Sequence, residues 1–275
     1  MIQEDPLAIG DFHSHLIPGV DDGARTLEDT LEGVERMVAE GIRKIITTPH
    51  VDASLINDAG PFQERMELVD RAWDEASCAV AERFPEVDFR RGHEVMLDLP
   101  DPDLSDARLR LGGSSFVLIE WPRLQLPPGT VDVLTRLLRS GVRPIIAHPE
   151  RYVGFDRELE LASEWKRAGA YLQVNYGSLV GRYGPQARTL ALRLLRRGWV
   201  DYLATDFHAR PHLKLYHREV VEALTELAGE EQISVLTVIN PGRVFRDEEP
   251  IPPPALLREH TLWARLRELL KIQRD

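Results

Sequence analysis

The sequence predicts an α/β fold in which parallel strands form a barrel surrounded by helices. Short apolar runs alternate with longer stretches of helical periodicity along the chain, which is typical of βαβ units. The length of 275 residues suits such a barrel as one domain, because α/β barrels reach about 250 residues and more as a single unit. Histidines and carboxylates follow most of the apolar runs, and in a parallel barrel those positions meet at one face.

Seven strands are predicted, each a short apolar run bounded by polar or turn residues. They lie near residues 8–12, 44–48, 88–95, 116–120, 144–147, 170–175 and 201–205. Helical periodicity fills the intervening segments near residues 27–40, 61–83, 129–140, 157–168, 186–197 and 216–228. The first helix follows Thr26 and ends at Gly41, residue types that commonly cap a helix at its start and its end.

Two segments break this alternation. Prolines and aspartates make segment 96–114 irregular, and we expect a loop with a short helix over one face of the barrel. Prolines are also concentrated between residues 250 and 254, after which a last helix is predicted to pack on the barrel of the same chain. We therefore expect one domain over residues 1–275, with the barrel at 7–245 and the last helix at 255–272.

Composition limits the classes of function. Apolar residues make up 43% and charged residues 29% of the chain, as in ordinary globular proteins. No segment approaches the length of about 20 apolar residues that a membrane helix needs, and the N-terminus lacks the basic region of a signal peptide. A cytoplasmic location without stable membrane insertion is expected. The net charge of −11 argues against nucleic acid as a partner, and the oligomeric state is left open.

Side chains that can bind metal ions follow the predicted strands. His13 and His15 lie two residues apart at the end of the first strand, so both point to the same side. The ends of the other strands carry His50, Glu94, Glu120, His148, Asp206 and His208. One such residue has simpler explanations: Glu120 could be an exposed turn residue and His50 could cap a helix. Because so many occupy equivalent positions, the sequence predicts a metal site.

The chemistry of these side chains indicates the metal. A set of imidazoles and carboxylates without thiolate suits manganese, iron or zinc. The set also exceeds what one ion needs, so two or three divalent ions are expected. The single cysteine, Cys78, lies in a predicted helix and cannot form a disulfide within the chain. We expect it to be buried and unreactive.

Two arginines at the same face suggest the ligand. Arg151 and Arg210 closely follow His148 and His208, and a guanidinium binds two phosphate oxygens at once. The alternative is that each pairs with a local acid such as Glu150 or Asp156. Several metal ions beside arginine favour phosphoester hydrolysis, in which metal-bound hydroxide attacks phosphorus in line with the leaving group.

Short motifs in a fixed order make the sequence similar to a known family. They are His13-x-His15, Asp21-Asp22-Gly23, Thr48-Pro49-His50, Gly92-x-Glu94, Leu118-Ile119-Glu120, Ala147-His148-Pro149-Glu150-Arg151-Tyr152, Gln173-Val174-Asn175, Thr205-Asp206-x-His208 and Asn240-Pro241. The series resembles the PHP superfamily, named for polymerase and histidinol phosphatase. Within that superfamily, it most resembles the bacterial metal-dependent protein-tyrosine phosphatases of capsule and exopolysaccharide loci. The resemblance implies a distorted seven-stranded TIM-like PHP barrel with a trinuclear metal site.

The resemblance also implies a role for each residue. The first ion would be bound by His13, His15, Glu94 and Asp206; the second by Glu94, Glu120 and His148; the third by Asp22, His50 and His208. Arg151 and Arg210 match the residues that bind phosphate in the family. The leaving group could be protonated by Asp206, His208 or water. His93 is expected to point away from Glu94, and His212, His217 and His260 match no motif and are expected at the surface.

The predicted function is hydrolysis of phosphotyrosine in protein by a metal-dependent phosphomonoesterase, with manganese the expected metal. The resemblance implies that the substrate is the tail of a tyrosine kinase controlling polysaccharide export. Glu120 and the Asp21-Asp22-Gly23 turn favour this branch over histidinol phosphatase. The alternatives are a small-molecule phosphatase, distinguished by the loops at 51–62 and 96–114, and a catalytically silent metal-binding regulator. The intact set of ligands speaks against the silent regulator.

Overall fold

The computed structural model describes residues 8–155, 159–228 and 230–253. These residues form a mixed α/β fold in which every paired strand runs parallel to its neighbour. The strands are β1 Ile9–Asp11, β2 Ile42–Thr47, β3 His50–Asp52, β4 Asp88–Arg91, β5 Glu94–Met96, β6 Phe116–Glu120, β7 Arg143–Ala147, β8 Tyr171–Asn175 and β9 Tyr202–Ala204. The predicted α/β class with a parallel sheet is confirmed.

Helices follow most of the strands. They are α1 Leu27–Ala39, α2 Ala53–Ile56, α3 Ala59–Arg83, α4 Thr130–Arg139, α5 Glu160–Ala168, α6 Tyr176–Leu179, α7 Gly184–Arg196, α8 His217–Ala228, α9 Glu230–Ser234 and α10 Asn240–Phe245, with a π-helix at Val235–Ile239. Each helix predicted before residue 229 has a counterpart. Thr26 caps α1 as expected, and its side chain accepts a hydrogen bond from the Asp29 amide.

The strands form two sheets, one with the order β1-β2-β4 and one with the order β3-β5-β6-β7-β8-β9. The predicted strand at 44–48 corresponds to β2, which ends at Thr47. Proline has no N–H group for the ladder, and β3 begins as a separate, unpredicted strand after Pro49. The predicted strand at 88–95 is broken at Gly92-His93. A Cβ atom at Gly92 would lie 2.9 Å from the Arg110 carbonyl oxygen, so glycine lets another loop approach there. The added β3 and the division of the strand at 88–95 explain why the described residues contain nine short strands where seven were predicted.

The segments after the first and last strands lie side by side. Ser14 and Phe207 form an isolated parallel bridge, and the Asp206 amide donates to the His13 carbonyl at 2.8 Å. Beneath this contact, the buried Asp11 carboxylate accepts from the Thr205 amide at 2.7 Å. The side chains that follow β1 and β9 are therefore brought to the same place.

Apolar packing holds the helices against the sheets. The largest cluster joins residues of β5 to β9 with α4, α5 and α7, and contains Trp121 and Trp165 with ring centroids 5.4 Å apart. A second cluster joins α1 and the end of α3 to β2. Within the described residues, no helix is both long and apolar enough to cross a bilayer.

Two predictions about single residues are wrong. Cys78 is exposed, because the buried face of α3 passes through Ala76 and Val80 instead. His217 is buried, packs edge-on against Tyr176 at 5.1 Å, and lies 3.5 Å from the Glu40 carboxylate.

Other local predictions have mixed outcomes. Segment 96–114 contains two short 3₁₀ helices, Ala107–Leu109 and Leu111–Gly113, close to the expected loop with a short helix. His212 is exposed as expected. His260 and the predicted last helix at 255–272 lie outside the described residues.

Candidate metal centre

All nine predicted metal ligands come together in one place. Their ligand atoms form four overlapping groups, and within each group the atoms lie within 4.8 Å of one another. The groups are His13, His15 and Glu94; His13, His148 and Asp206; His50, Glu94 and Glu120; and His15, Asp22, His50 and His208. The grouping differs in part from the expected one, since Asp206 lies with His13 and His148, and His15 also joins the group around Asp22. The sharing of His13, His15, His50 and Glu94 makes this one continuous centre.

Glu94 lies in the middle of the centre and is 1% exposed. Its Oε2 atom lies 3.1 Å from His13 Nε2, 3.5 Å from His15 Nε2 and 3.2 Å from His50 Nδ1. Its Oε1 atom lies 3.1 Å from His148 Nε2. The register of the sheet explains this position, because Glu94 opens β5 directly beside His50, which opens β3. One carboxylate thus contacts four imidazoles.

The imidazoles are oriented from behind by hydrogen bonds. His13 Nδ1 lies 2.9 Å from Gln173 Oε1, and His15 Nδ1 lies 2.8 Å from Asp21 Oδ2. When Nδ1 carries the proton, the Nε2 lone pair faces the centre, which is the usual arrangement around histidine ligands. Gln173 is held in turn by a 2.8 Å bond to Asn175. The sequence motifs included these residues, but nothing in the sequence showed which imidazole each one contacts.

The Asp21-Asp22-Gly23 turn brings a carboxylate to the outer edge of the centre. The Gly23 amide donates to Asp21 Oδ1 at 2.9 Å. A Cβ atom at Gly23 would lie 2.1 Å from the His15 carbonyl oxygen, so only glycine fits. The turn places Asp22 Oδ1 3.5 Å from His50 Nε2 and 3.4 Å from His208 Nε2.

The close carboxylates change the proton affinity of the imidazoles. Burial opposes the charged form of His50, but Asp22 and Glu120 outweigh it and raise its pKa to about 10. The pKa of His15 likewise lies well above its usual value despite burial, because Asp206 and Asp21 contact it. Conversely, the pKa of Glu94 lies well below its usual range although burial alone would raise it. Glu94 is therefore ionised at neutral pH.

Several buried atoms of the centre lack hydrogen-bond partners. His13 Nε2, His15 Nε2 and Glu94 Oε2 approach one another within 3.5 Å without the geometry of a hydrogen bond. Buried polar atoms are normally satisfied. Ligands of one ion at about 2.0–2.2 Å from it lie about 3 Å from each other, close to the spacing seen around Glu94. These residues fit divalent cations.

Arg151 lies at the edge of the centre. Its Nη1 atom donates to Asp206 Oδ2 at 2.7 Å, and its guanidinium lies 4.2 Å from the centroid of the Tyr183 ring. Glu150 accepts instead from the Asn175 amide and the Ser178 hydroxyl, while Asp156 lies outside the described residues. Arg210 donates to the Asp22 carbonyl oxygen at 2.8 Å and does not line the pocket.

The pocket above the centre has a volume of about 360 Å³. Among the described residues, its walls beyond the metal-binding groups come mainly from the loops around residues 123–124, 182–183 and 213–216. The loops at 51–62 and 96–114, which were expected to decide specificity, do not line it. His93 is also outside the centre, as expected, because its Nδ1 atom lies 3.0 Å from the Arg108 carbonyl oxygen.

A parallel α/β fold with carboxylates, imidazoles and an arginine at its strand ends defines a class of protein, the metal-dependent hydrolases. Comparison with known families identifies the group within this class. The model of the family described as "Capsular polysaccharide synthesis, CpsB/CapC" matches residues 9–246. The chain belongs to this family, and the resemblance predicted from the sequence motifs is confirmed.

Relatives extend over most of the chain. Tyrosine-protein phosphatase YwqE of Bacillus subtilis is 29% identical over 233 residues, which cover 82% of this chain and 88% of the relative. Tyrosine-protein phosphatase CpsB of Streptococcus agalactiae is 24% identical over 250 residues, which cover 86% of this chain and 98% of the relative.

Solved structures give the same relationship. One comes from work on YwqE of Bacillus subtilis and CpsB of Streptococcus pneumoniae, described as unique metal-dependent tyrosine phosphatases. It matches with a TM-score of 0.74 and 26% identity, covering 90% of this chain and 99% of the other. A phosphotriesterase homology protein from Escherichia coli matches with a TM-score of 0.52 and 14% identity, covering 88% of this chain and 100% of the other. This match shows a likeness of fold alone.

Proposed function

We propose that this protein hydrolyses phosphotyrosine in proteins as a metal-dependent phosphomonoesterase. The predicted enzyme class is confirmed by relatives that are named tyrosine-protein phosphatases and by a structural neighbour described as metal-dependent. The observation that carries the proposal is the contact of one buried carboxylate, Glu94, with four imidazoles beside Arg151.

The nine grouped residues would hold two or three divalent ions, with manganese the expected metal and iron or zinc the alternatives. Bound ions would lower the pKa of water to near neutrality and neutralise charge on the phosphoryl oxygens. The chain's own contribution is orientation, because Gln173 and Asp21 hold the His13 and His15 rings with their Nε2 atoms turned toward the centre. Glu94 would be shared between ions, which keeps them close together.

Arg151 would bind the oxygens of the phosphoryl group, since its guanidinium reaches into the pocket beside Asp206. Arg210 lies behind Asp22 and would act at the edge of the site. Hydrolysis breaks the bond between phosphorus and the tyrosyl oxygen, and the leaving phenolate takes up a proton. The neighbours of Asp206 hold its pKa below the usual range, so it is a poor proton donor. His208 or water is left for this step.

The arrangement of the strands supports a closed barrel. β2 and β3 occupy one position in the order of strands, as do β4 and β5, which gives seven positions. The bridge between Ser14 and Phe207 joins the first position to the last. We propose the distorted seven-stranded PHP barrel on this basis, with the chain as a single domain. The cytoplasmic location and the kinase of polysaccharide export as substrate stay predictions from the sequence.

Hydrolysis of a phosphotyrosyl peptide and of histidinol phosphate, with Mn²⁺ or with a chelator, tests this function. We expect Mn²⁺-dependent preference for the peptide, lost in Glu94→Ala and Arg151→Ala and retained in the exposed controls Glu86→Ala and Arg139→Ala. Preference for histidinol phosphate would instead make the protein a small-molecule phosphatase. Absence of turnover with metal bound would favour the silent regulator.

A further inference from the structure

Three basic side chains line the pocket in addition to Arg151, and we call Arg123, Arg182 and Lys214 the basic rim. We propose that the basic rim binds a second anionic group of the substrate peptide, a carboxylate or phosphoryl group close to the phosphotyrosine. The inference rests on the proposed function and specifies which peptides the site prefers.

The charge of the basic rim is the first feature that favours an anionic ligand. Among the described residues, no carboxylate lies within 4.0 Å of a basic-rim nitrogen, although many other arginines of the chain form such pairs. The carboxylates that line the pocket are Asp22, Glu94, Glu120 and Asp206, and all four belong to the metal-binding groups. With ions bound, the rim has no negative partner in the pocket, although the chain carries a net charge of −11.

The backbone conformation at Arg123 is the second feature that favours a functional role for the rim. Arg123 and Leu124 both have left-handed conformations, with φ of 54° and 53°, which are unfavourable for residues other than glycine. The turn is held by the Val153 amide, which donates to the Leu124 carbonyl oxygen at 2.8 Å. Such strain is retained at functional sites, where the surrounding structure enforces it.

The loops that carry Arg182 and Lys214 are also held firmly. The Arg182 amide donates to the Gly177 carbonyl oxygen at 2.9 Å. The loop before Lys214 is fixed from below by Arg36, whose guanidinium donates to the carbonyl oxygens of Arg210 and Leu213. Three separate loops with fixed backbones therefore present to one pocket cations that have no carboxylate partner among the described residues. Such preorganisation reduces the entropy lost when an anionic peptide binds.

The rim predicts discrimination between peptides with different flanking charges. An exposed ion pair changes affinity by about 1.5-fold to 5-fold, so three cations together should favour an anionic flank by about fivefold or more. The preference should fall as salt rises, because exposed charges are screened within about 10 Å at 0.1 M salt.

The test measures kcat/KM with Mn²⁺ for phosphotyrosyl peptides in matched pairs. One pair carries glutamate or glutamine beside the phosphotyrosine, and the other carries a second phosphotyrosine or phenylalanine. We expect the wild type to favour the anionic member of at least one pair, which identifies the group recognised. The triple variant Arg123→Gln/Arg182→Gln/Lys214→Gln should bring the ratio close to one. The triple variant Arg71→Gln/Arg139→Gln/Arg197→Gln changes net charge equally at exposed positions outside the pocket, and should keep the wild-type ratio.

Equal rates within both pairs for the wild type, or a preference that survives in the rim variant, would overturn the proposal. Melting temperatures of the variants show whether each one is folded. If the triple variant does not fold, the single variant Arg182→Glu, which leaves the rim less positive, should reduce the preference for the anionic peptides. Hydrolysis of p-nitrophenyl phosphate, which has no flanking residues, separates failure of the proposed function from failure of the basic rim. If the wild type hydrolyses neither it nor any peptide, the proposed function fails; if turnover occurs without discrimination, the rim alone fails.

Discussion

Glu94 is the side chain on which the candidate metal centre depends most, because its oxygens lie within 3.5 Å of four imidazoles. The substitution Glu94→Gln keeps the size of the side chain and removes its charge. We expect the variant to lose at least one bound ion and about 100-fold or more in kcat/KM, since changes even behind a ligand cost 10–100-fold. Metal analysis after dialysis and rates at saturating Mn²⁺ measure both effects.

The exposed substitution Glu86→Gln is the control for the loss of one negative charge, and it should keep metal and activity. Full metal content in Glu94→Gln would contradict the assignment of this carboxylate as a shared ligand.

The raised pKa values of the imidazoles predict that metal binding releases protons. The pKa of His50 is raised to about 10, and that of His15 also lies well above its usual value, so both are protonated in the metal-free protein at neutral pH. A metal ion needs the lone pair and must displace these protons. Apparent affinity for Mn²⁺ should therefore rise with pH from about 6 to about 8 and beyond.

Calorimetric titration in buffers of different ionisation enthalpy measures the number of protons released. An affinity that does not change with pH, with no protons released, would contradict the displacement of protons from these imidazoles by the metal.

All nine candidate ligands could be predicted from the sequence because each follows or opens a recognisable strand or belongs to a motif. The contacts behind them could not. Gln173 reaches His13 across 160 positions of the chain, and only the order of strands brings them together. Cys78 and His217 were predicted wrongly for a related reason, because helical packing decides burial and the residue type does not.

Among the structural elements, the turn at Asp21-Asp22-Gly23 most directly links backbone conformation to the site. A methyl group at Gly23 would lie 2.1 Å from the His15 carbonyl oxygen. Gly23→Ala should therefore displace the turn, lower the free energy of unfolding by about 2 kcal/mol or more, and weaken metal binding through Asp22 and His15. Thermal unfolding and Mn²⁺ titration measure the two effects.

Gly60→Ala is a matched control, since Gly60 lies in α3 and a Cβ atom there would meet nothing within 4 Å. Its stability should fall less than that of Gly23→Ala, since the only penalty is that alanine before Pro61 is less favourable than glycine in a helical conformation. Equal behaviour of the two variants would show that the close approach at Gly23 relaxes without consequence.

The helices were easier to predict than the strands. The apolar periodicity of α1 and α4 is strong and their ends carry clear signals, whereas β3 is three residues long with a single apolar residue, Val51, and gives no such signal. Pro49 and Gly92 mark in retrospect where β3 and β5 separate from the strands before them, but their effect depends on which loop approaches the sheet. The loops at 51–62 and 96–114 do not line the pocket, because loop lengths along the sequence do not show which loops reach it.

For the molecule as a whole, the centre joins segments that follow or open strands in both sheets. Ions bound there should stabilise the folded state, because the unfolded chain does not hold these ligands together. At a free ion concentration of 100 times the Kd, stabilisation should be about 2.7 kcal/mol, which corresponds to a rise of about 5–10 °C in Tm. Thermal unfolding with Mn²⁺ and with chelator measures this, and a Tm unaffected by either would argue against a preformed centre.

Activity as a function of bound metal tests the central claim most directly. Metal-free protein would be titrated with Mn²⁺ while bound ions and the rate of phosphotyrosyl peptide hydrolysis are measured on the same samples. We predict no turnover without metal and full activity only when two or three ions are bound per chain. Full turnover in excess chelator, or a rate independent of the number of bound ions, would contradict the assignment of this centre as the catalytic site.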